Sequence, residues 1–234
     1  MDAVELQRTY LDLTTPHVAD AIMRLGIPVR QAPAGIRPIW LNTHVVGRAR
    51  PARHVGSVDV FLEAFERSEP GDVLVVDNAG REDEACVGDL VALEARNAGL
   101  AGIVIWGLHR DSRELRDIRL PVFSRGTLPG GPQRLDDQEA DALTAARFGM
   151  HTVTAEDFVL GDDDGVLFLP FDRAAEIAAL ATTIRDTERH QAARMNLGTG
   201  FREQARFTEF LAARDRDGTT FRQHLRSIGG AIEE

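Results

Sequence analysis

Two stretches of this sequence place charged side chains beside backbone donors at spacings that could do chemistry. Gly88-Asp89-Leu90-Val91 opens a helical pattern, and Gly107-Leu108-His109-Arg110-Asp111 lies between an apolar run and a second helical pattern. Amide N–H groups at a helix start point outward, and the helix dipole favours an anion there. In open α/β sheets a ligand sits in the crevice beyond the carboxyl ends of the strands, so both loops should open onto one crevice. Plainer roles fit the same residues. Asp89 and Asp111 could be helix N-caps, Arg110 and Asp111 a solvated surface pair, and His109 a packing residue. Cys86, two residues before the first of them, could be a nucleophile or a small buried thiol.

Composition removes many alternatives. The 234 residues include 27 basic side chains, every one arginine, against 37 acidic ones, for a net charge of −10. Without lysine in the chain, Schiff-base aldolase, pyridoxal-phosphate and P-loop chemistry lack their amine. The acidic balance argues against nucleic acid and anionic membrane surfaces as partners. The sequence holds no His-Glu-x-x-His, Cys-x-x-Cys, Gly-x-Gly-x-x-Gly after a strand, or Gly-x-Ser-x-Gly. A single cysteine permits no intrachain disulfide, as expected in a reducing compartment. Asp2, Glu5 and Arg8 interrupt the place where a signal peptide needs apolar residues, and no run approaches the 18 or so apolar residues of a membrane span. The expected location is the cytoplasm.

The elements that must position the two loops are legible around them. Val73 to Val76, Gly102 to Trp106 and Pro121 to Phe123 read as buried strands. Helical patterns over Asp89 to Ala98 and Ser112 to Asp117 separate them, which predicts right-handed crossovers and a parallel sheet. Upstream, Thr15 reads as the N-cap of a helix reaching Gly26, followed by a strand over Val45 to Ala49 and a helix around Val58 to Arg67. Downstream, Gly161-Asp162-Asp163-Asp164-Gly165 between two apolar runs predicts a hairpin. Helical patterns follow over Asp172 to His190, Phe201 to Arg214 and Phe221 to Ile228.

With 20 residues between Asp89 and Arg110, the chain resembles the Asp-x20-Arg-Asp pattern of the RraA-like family. That family holds the regulators of ribonuclease activity A and the class II 4-hydroxy-4-methyl-2-oxoglutarate aldolases. The resemblance extends through Val18-Ala19-Asp20-Ala21, Gly71 to Asp77, Ala101 to Val104, Leu120 to Thr127 and Asp162 to Val166, over about residues 15–190. It implies an α/β fold, a three-layer swivelling β/β/α domain over 1–190. A helical C-terminal extension over 191–234 would pack on the same domain or on a neighbouring subunit. It implies trimers or hexamers with sites at subunit interfaces.

The resemblance also implies a lyase that cleaves a 2-oxo-4-hydroxy acid to pyruvate and a carbonyl product, with oxaloacetate decarboxylation as related chemistry. Arg110 would bind the substrate carboxylate, helped by the amides of Gly88, Asp89, Leu90 and Val91. Asp111 would hold Mg²⁺, Mn²⁺ or another divalent ion, and Asp89 would position water for proton transfer. Asp20 and Glu188 would act in a neighbour's site. Elementary chemistry is consistent: guanidinium forks suit carboxylates, and one carboxylate with waters and substrate oxygens suits Mg²⁺. His109 stands where the family usually has a small or apolar residue, which predicts an altered pocket beside the metal. The alternative within the family is a non-catalytic regulator of a ribonuclease.

Overall fold

Continuous apolar runs make the central strands, because a strand covered on both faces needs no polar alternation. The computed structural model describes residues 1–229, so residues 230–234 of the C-terminal extension lie outside the described residues. Its strands are β1 (Arg37–Pro38), β2 (Val45–Arg53), β3 (Val73–Asp77), β4 (Ala85–Val87), β5 (Gly102–Trp106), β6 (Leu108–His109), β7 (Val122–Ser124), β8 (Ala145–Phe148), β9 (His151–Thr154), β10 (Asp157–Asp162) and β11 (Gly165–Pro170). Its helices are α1 (Ala3–Tyr10), α2 (Thr15–Arg24), α3 (Asp59–Glu66), α4 (Asp89–Asn97), α5 (Ser112–Ile118), α6 (Ala174–Asn196), α7 (Phe201–Gln204), α8 (Phe207–Asp217) and α9 (Phe221–Ile228).

The main sheet runs β1-β7-β5-β3-β2-β10-β11. Strands β2, β3, β5 and β7 are parallel, whereas β1, β10 and β11 join antiparallel. The sheet is therefore mixed rather than purely parallel. The hairpin expected around Asp162 to Gly165 supplies one edge, with Asp162 opposite Gly165.

Alternation along the strands sorts the core into layers. On one face Leu74, Val76, Ile103 and Ile105 pack with α3, α4 and α5. The same face continues through Val46, Phe158 and Leu169 under α1, α2 and α6. On the other face Val75, Val104, Phe123, Val159 and Phe168 meet Ala146, Phe148 and Val153 of the β8–β9 hairpin. Helices, main sheet and hairpin make the three-layer β/β/α arrangement that the family resemblance implies, and the sheet curls around its hairpin-covered face.

Local details differ from expectation. Thr14, not Thr15, caps α2, with its Oγ1 2.9 Å from His17 Nδ1. Thr15 instead donates through N and Oγ1 to the buried Asp162 carboxylate, at 2.6 and 2.7 Å, tying the start of α2 to the hairpin turn. Helices α7, α8 and α9 pack on one another and against the end of α6. Phe210 stacks edge-on with Phe221 at 4.9 Å, and His224 Nε2 lies 2.8 Å from the Ala205 carbonyl. No helix among the described residues is long and apolar enough to cross a membrane.

Candidate functional site

The two loops meet because their short strands pair. Strand β4 runs parallel to β6, and Arg110 N–H donates to the Val87 carbonyl at 2.9 Å. This pairing carries Gly88, at the N-cap of α4, against Arg110 and Asp111, at the start of α5. A Cβ on Gly88 would lie 2.4 Å from Asp111 Oδ2 and 3.2 Å from Arg110 Nε. Only a residue without a side chain permits that approach.

Asp111 adopts a left-handed backbone at φ 57°, ψ 42°, a conformation uncommon outside glycine though tolerated by Asp and Asn. It occupies the N-cap position of α5, yet its side chain makes no capping hydrogen bond. The carboxylate turns across the loop instead, with Oδ2 3.4 Å from Asp89 N and 3.3 Å from Arg110 Nε. Its Oδ1 has no hydrogen-bond partner among the described residues, and its side chain is 34% exposed. The simple-cap role therefore fails for Asp111. Asp89 is the first residue of α4 rather than its cap, and its Oδ1 accepts the Leu90 N–H at 2.8 Å.

Arg110 is half-exposed and spends only Nε on Asp111, leaving both Nη groups without a partner among the described residues. Its Nη1 lies 2.9 Å from where a Cβ on Gly131 would stand, so a second glycine clears its path. A cavity opens here, lined by Gly88 to Val91, Arg110 and His54 among others. The described residues hold no cluster of three His, Cys, Asp or Glu side chains suited to a metal. What the site offers is one partly exposed carboxylate with a free oxygen, which fits an ion that keeps most of its waters, as Mg²⁺ does.

Asp20 and Glu188 are not brought to this cavity. Asp20 lies on α2 and Glu188 on α6, which pack together over β10 and β11, and Glu188 Oε2 is 3.5 Å from His17 Nε2. His109 also turns elsewhere. It is buried, with Nδ1 2.6 Å from Ser124 Oγ and Nε2 3.0 Å from Ser112 Oγ, and it lines a different cavity. Burial lowers its pKa and keeps it neutral. His109 does not line the cavity that holds Asp89 and Arg110. Cys86 is buried and burial pushes its thiol pKa up, so it is the inert thiol and not a thiolate nucleophile.

Sequence reading missed a buried polar group behind the cavity. His54 follows β2, and its Nδ1 lies 2.9 Å from Asn78 Oδ1 and 3.7 Å from Glu84 Oε1. Arg134 grips Glu84 through Nη2 at 2.9 Å and Nε at 3.2 Å, and reaches Asn78 Oδ1 at 3.1 Å. The available signal was the polar content of the 77–88 loop, which supplies both Asn78 and Glu84.

Comparison with known proteins settles the family. The RraA-like family model, described as Aldolase/RraA, matches residues 15–168. The chain belongs to the RraA-like family. A provisionally named 4-hydroxy-4-methyl-2-oxoglutarate aldolase from Halalkalibacterium halodurans is 34% identical over 137 residues. That match covers 58% of this RraA-like chain and 64% of the relative, so it spans less than two thirds of the relative's length. Among solved structures, Streptomyces coelicolor RraAS2, an unusual member of the RNase ES inhibitor RraA family, superposes with TM-score 0.69 at 28% identity. The superposition covers 81% of this chain and 98% of that one. The RNA-processing inhibitor RraA from Thermus thermophilis gives TM-score 0.56 at 26% identity, covering 65% of this chain and 92% of its own.

Proposed function

We propose that this RraA-like protein is a divalent-metal-dependent carbon–carbon lyase. Its substrate class is 2-oxo-4-hydroxy acids such as 4-hydroxy-4-methyl-2-oxoglutarate, cleaved to pyruvate and a carbonyl product, with oxaloacetate decarboxylation as a related activity. The observation that carries this reading is the Asp111 carboxylate. It forgoes the cap of its own helix and stands, with one oxygen free, beside a half-exposed arginine and a helix start.

Each group has a task in that reading. The two unpaired Nη groups of Arg110 grip the substrate carboxylate, and the first-turn amides of α4 add backbone donors and a favourable dipole. Leu90 and Val91 line the cavity wall and hold the acyl end against Gly88. Asp89, at the cavity edge, holds a water that delivers a proton to C3 of the pyruvate fragment. Asp111 holds the Mg²⁺ or Mn²⁺ ion. When bound, such an ion supplies Lewis-acid stabilisation of charge developing on the substrate's 2-oxo oxygen. Lysine-free composition supports this choice, because no imine is open to the chain. Asp20 and Glu188 act, in this reading, from a neighbouring copy in a trimer or hexamer.

A pyruvate-coupled screen of 2-oxo-4-hydroxy acids and oxaloacetate tests the proposal. Turnover is expected with Mg²⁺ or Mn²⁺, to vanish in EDTA and to return on adding the ion; turnover that survives exhaustive chelation contradicts it. The second reading, a non-catalytic ribonuclease regulator, is favoured by the two solved neighbours named as RNase or RNA-processing inhibitors. Inhibition of a ribonuclease by a chain inert on every 2-oxo acid would select it.

A further inference from the structure

The cavity that Arg110 lines is also lined by a histidine whose tautomer is fixed by its neighbours. His54 is buried, its side chain only 1% exposed, and its ring stacks on Phe61 of α3 at 5.3 Å. Asn78 Oδ1 accepts Arg134 Nη2 at 3.1 Å, so that atom is the amide oxygen and cannot donate. The contact at 2.9 Å between it and His54 Nδ1 therefore requires a proton on Nδ1. Nε2 then carries the lone pair. It takes no hydrogen bond from any described residue, and the imidazole lines the same cavity as Asp89 and Arg110. Arg134 is held in turn by Glu84, so the tautomer rests on a four-residue network whose His54, Asn78 and Glu84 are buried.

We infer that His54 is the proton acceptor of this cavity, taking the 4-hydroxyl proton on Nε2 as the C3–C4 bond breaks. The inference rests on the lyase reading above. The O–H electron pair becomes the second bond of the carbonyl product, and the C3–C4 pair stays on the pyruvate fragment as its enolate. The Asp89 water protonates C3, the hydroxide left behind is neutralised by exchange with solvent, and His54 Nε2 releases its proton to solvent. The net transfer is from the 4-hydroxyl to C3, and the C3 proton transfer does not pass through His54. Burial lowers the His54 pKa below the ordinary histidine range and keeps the ring neutral at pH 7. The charged groups around it are Glu84 and Arg134, beside the Asn78 contact, and Asp59 from α3, with Asp89 and Arg110 lining the same cavity.

Two reactions separate this role from a structural one. Cleavage of a 4-hydroxy substrate needs the acceptor, whereas hydrogen–deuterium exchange of the pyruvate methyl group needs only the Asp89 water. His54→Gln should lose about 10²–10⁴-fold in cleavage while retaining methyl exchange within a few-fold. Wild-type cleavage should fall as pH drops through the depressed histidine pKa, and the variant should lack that limb. Equal loss of both reactions, or full cleavage by the folded variant, overturns the assignment and leaves the lyase reading standing. A wild-type protein inert in both reactions ends the lyase reading and this assignment with it. Should the variant not fold, the ¹⁵N resonances of the wild-type histidines decide. A protonated Nδ1 and an Nε2 signal that moves on adding pyruvate with Mg²⁺ are expected, and an unmoved Nε2 refutes the role.

Discussion

Asp111 shows how a residue's backbone can reveal its task. A left-handed φ of 57° at a non-glycine costs energy, and here no cap hydrogen bond offsets it. Asn tolerates the same backbone, so Asp111→Asn is a better probe than alanine, which lacks the short polar side chain that eases a left-handed residue. The Asn variant should keep its melting temperature near wild type yet lose about 10²–10³ in turnover. Arg110→Ala should instead weaken substrate binding by roughly 10–150-fold, the worth of a charge-assisted contact of about 1.5–3 kcal/mol. Asp89→Asn keeps a carbonyl oxygen for the Leu90 N–H, so it should fold normally while both cleavage and methyl exchange slow. Melting curves measured beside pyruvate turnover check all three. Turnover by folded Asp111→Asn at the wild-type rate would remove the metal-binding role.

At the scale of elements, the site depends on β4 and β6 bringing two loops within contact of Gly88. Gly88 itself sits at φ −129°, a backbone open to any residue, so its lack of a side chain matters only for the space it leaves. Gly88→Ala would push its methyl into the Asp111 carboxylate and the Arg110 side chain, both able to swing away. Little stability should be lost, but displacement of the carboxylate by about 1 Å can cost about 10²-fold in rate. Turnover falling with an unchanged melting temperature is the expected pattern, and unchanged turnover would deny that the close approach matters.

This contact also marks where sequence legibility ended. Strands β3 and β5 announce themselves as four or five consecutive buried residues, and the hairpin by its Gly-Asp cluster. Strands β4 and β6 span three and two residues, too few for any periodicity, and exist because they pair with each other. The β8–β9 hairpin is likewise made by tertiary packing of Phe148 and Val153. Asp89, Arg110 and Asp111 were readable from their spacing and motif. His54 was not, because its meaning comes from Asn78, 24 residues away, and from Arg134, 80 residues away.

For the whole molecule, the question is what covers the mouth of the cavity. Val58, Leu62 and Leu90 line it and remain 50%, 49% and 75% exposed, an apolar rim beside an arginine. Aromatic, apolar and arginine side chains together are what subunit interfaces bury, with water excluded from the groups inside. Asp20 and Glu188, proposed above to act from a neighbouring copy, lie away from this cavity on α2 and α6. A second copy presenting that helix pair to the rim would cover the apolar residues and add carboxylates to the site at once. The active species should therefore be larger than the 25.7 kDa chain. Leu90→Glu places a charge on the rim without touching the core, so it should leave the fold intact while dissociating the particle and abolishing turnover together. Light scattering with activity measured across the eluting peak decides the matter. Full activity in a particle of single-chain mass would show that one copy completes the site alone.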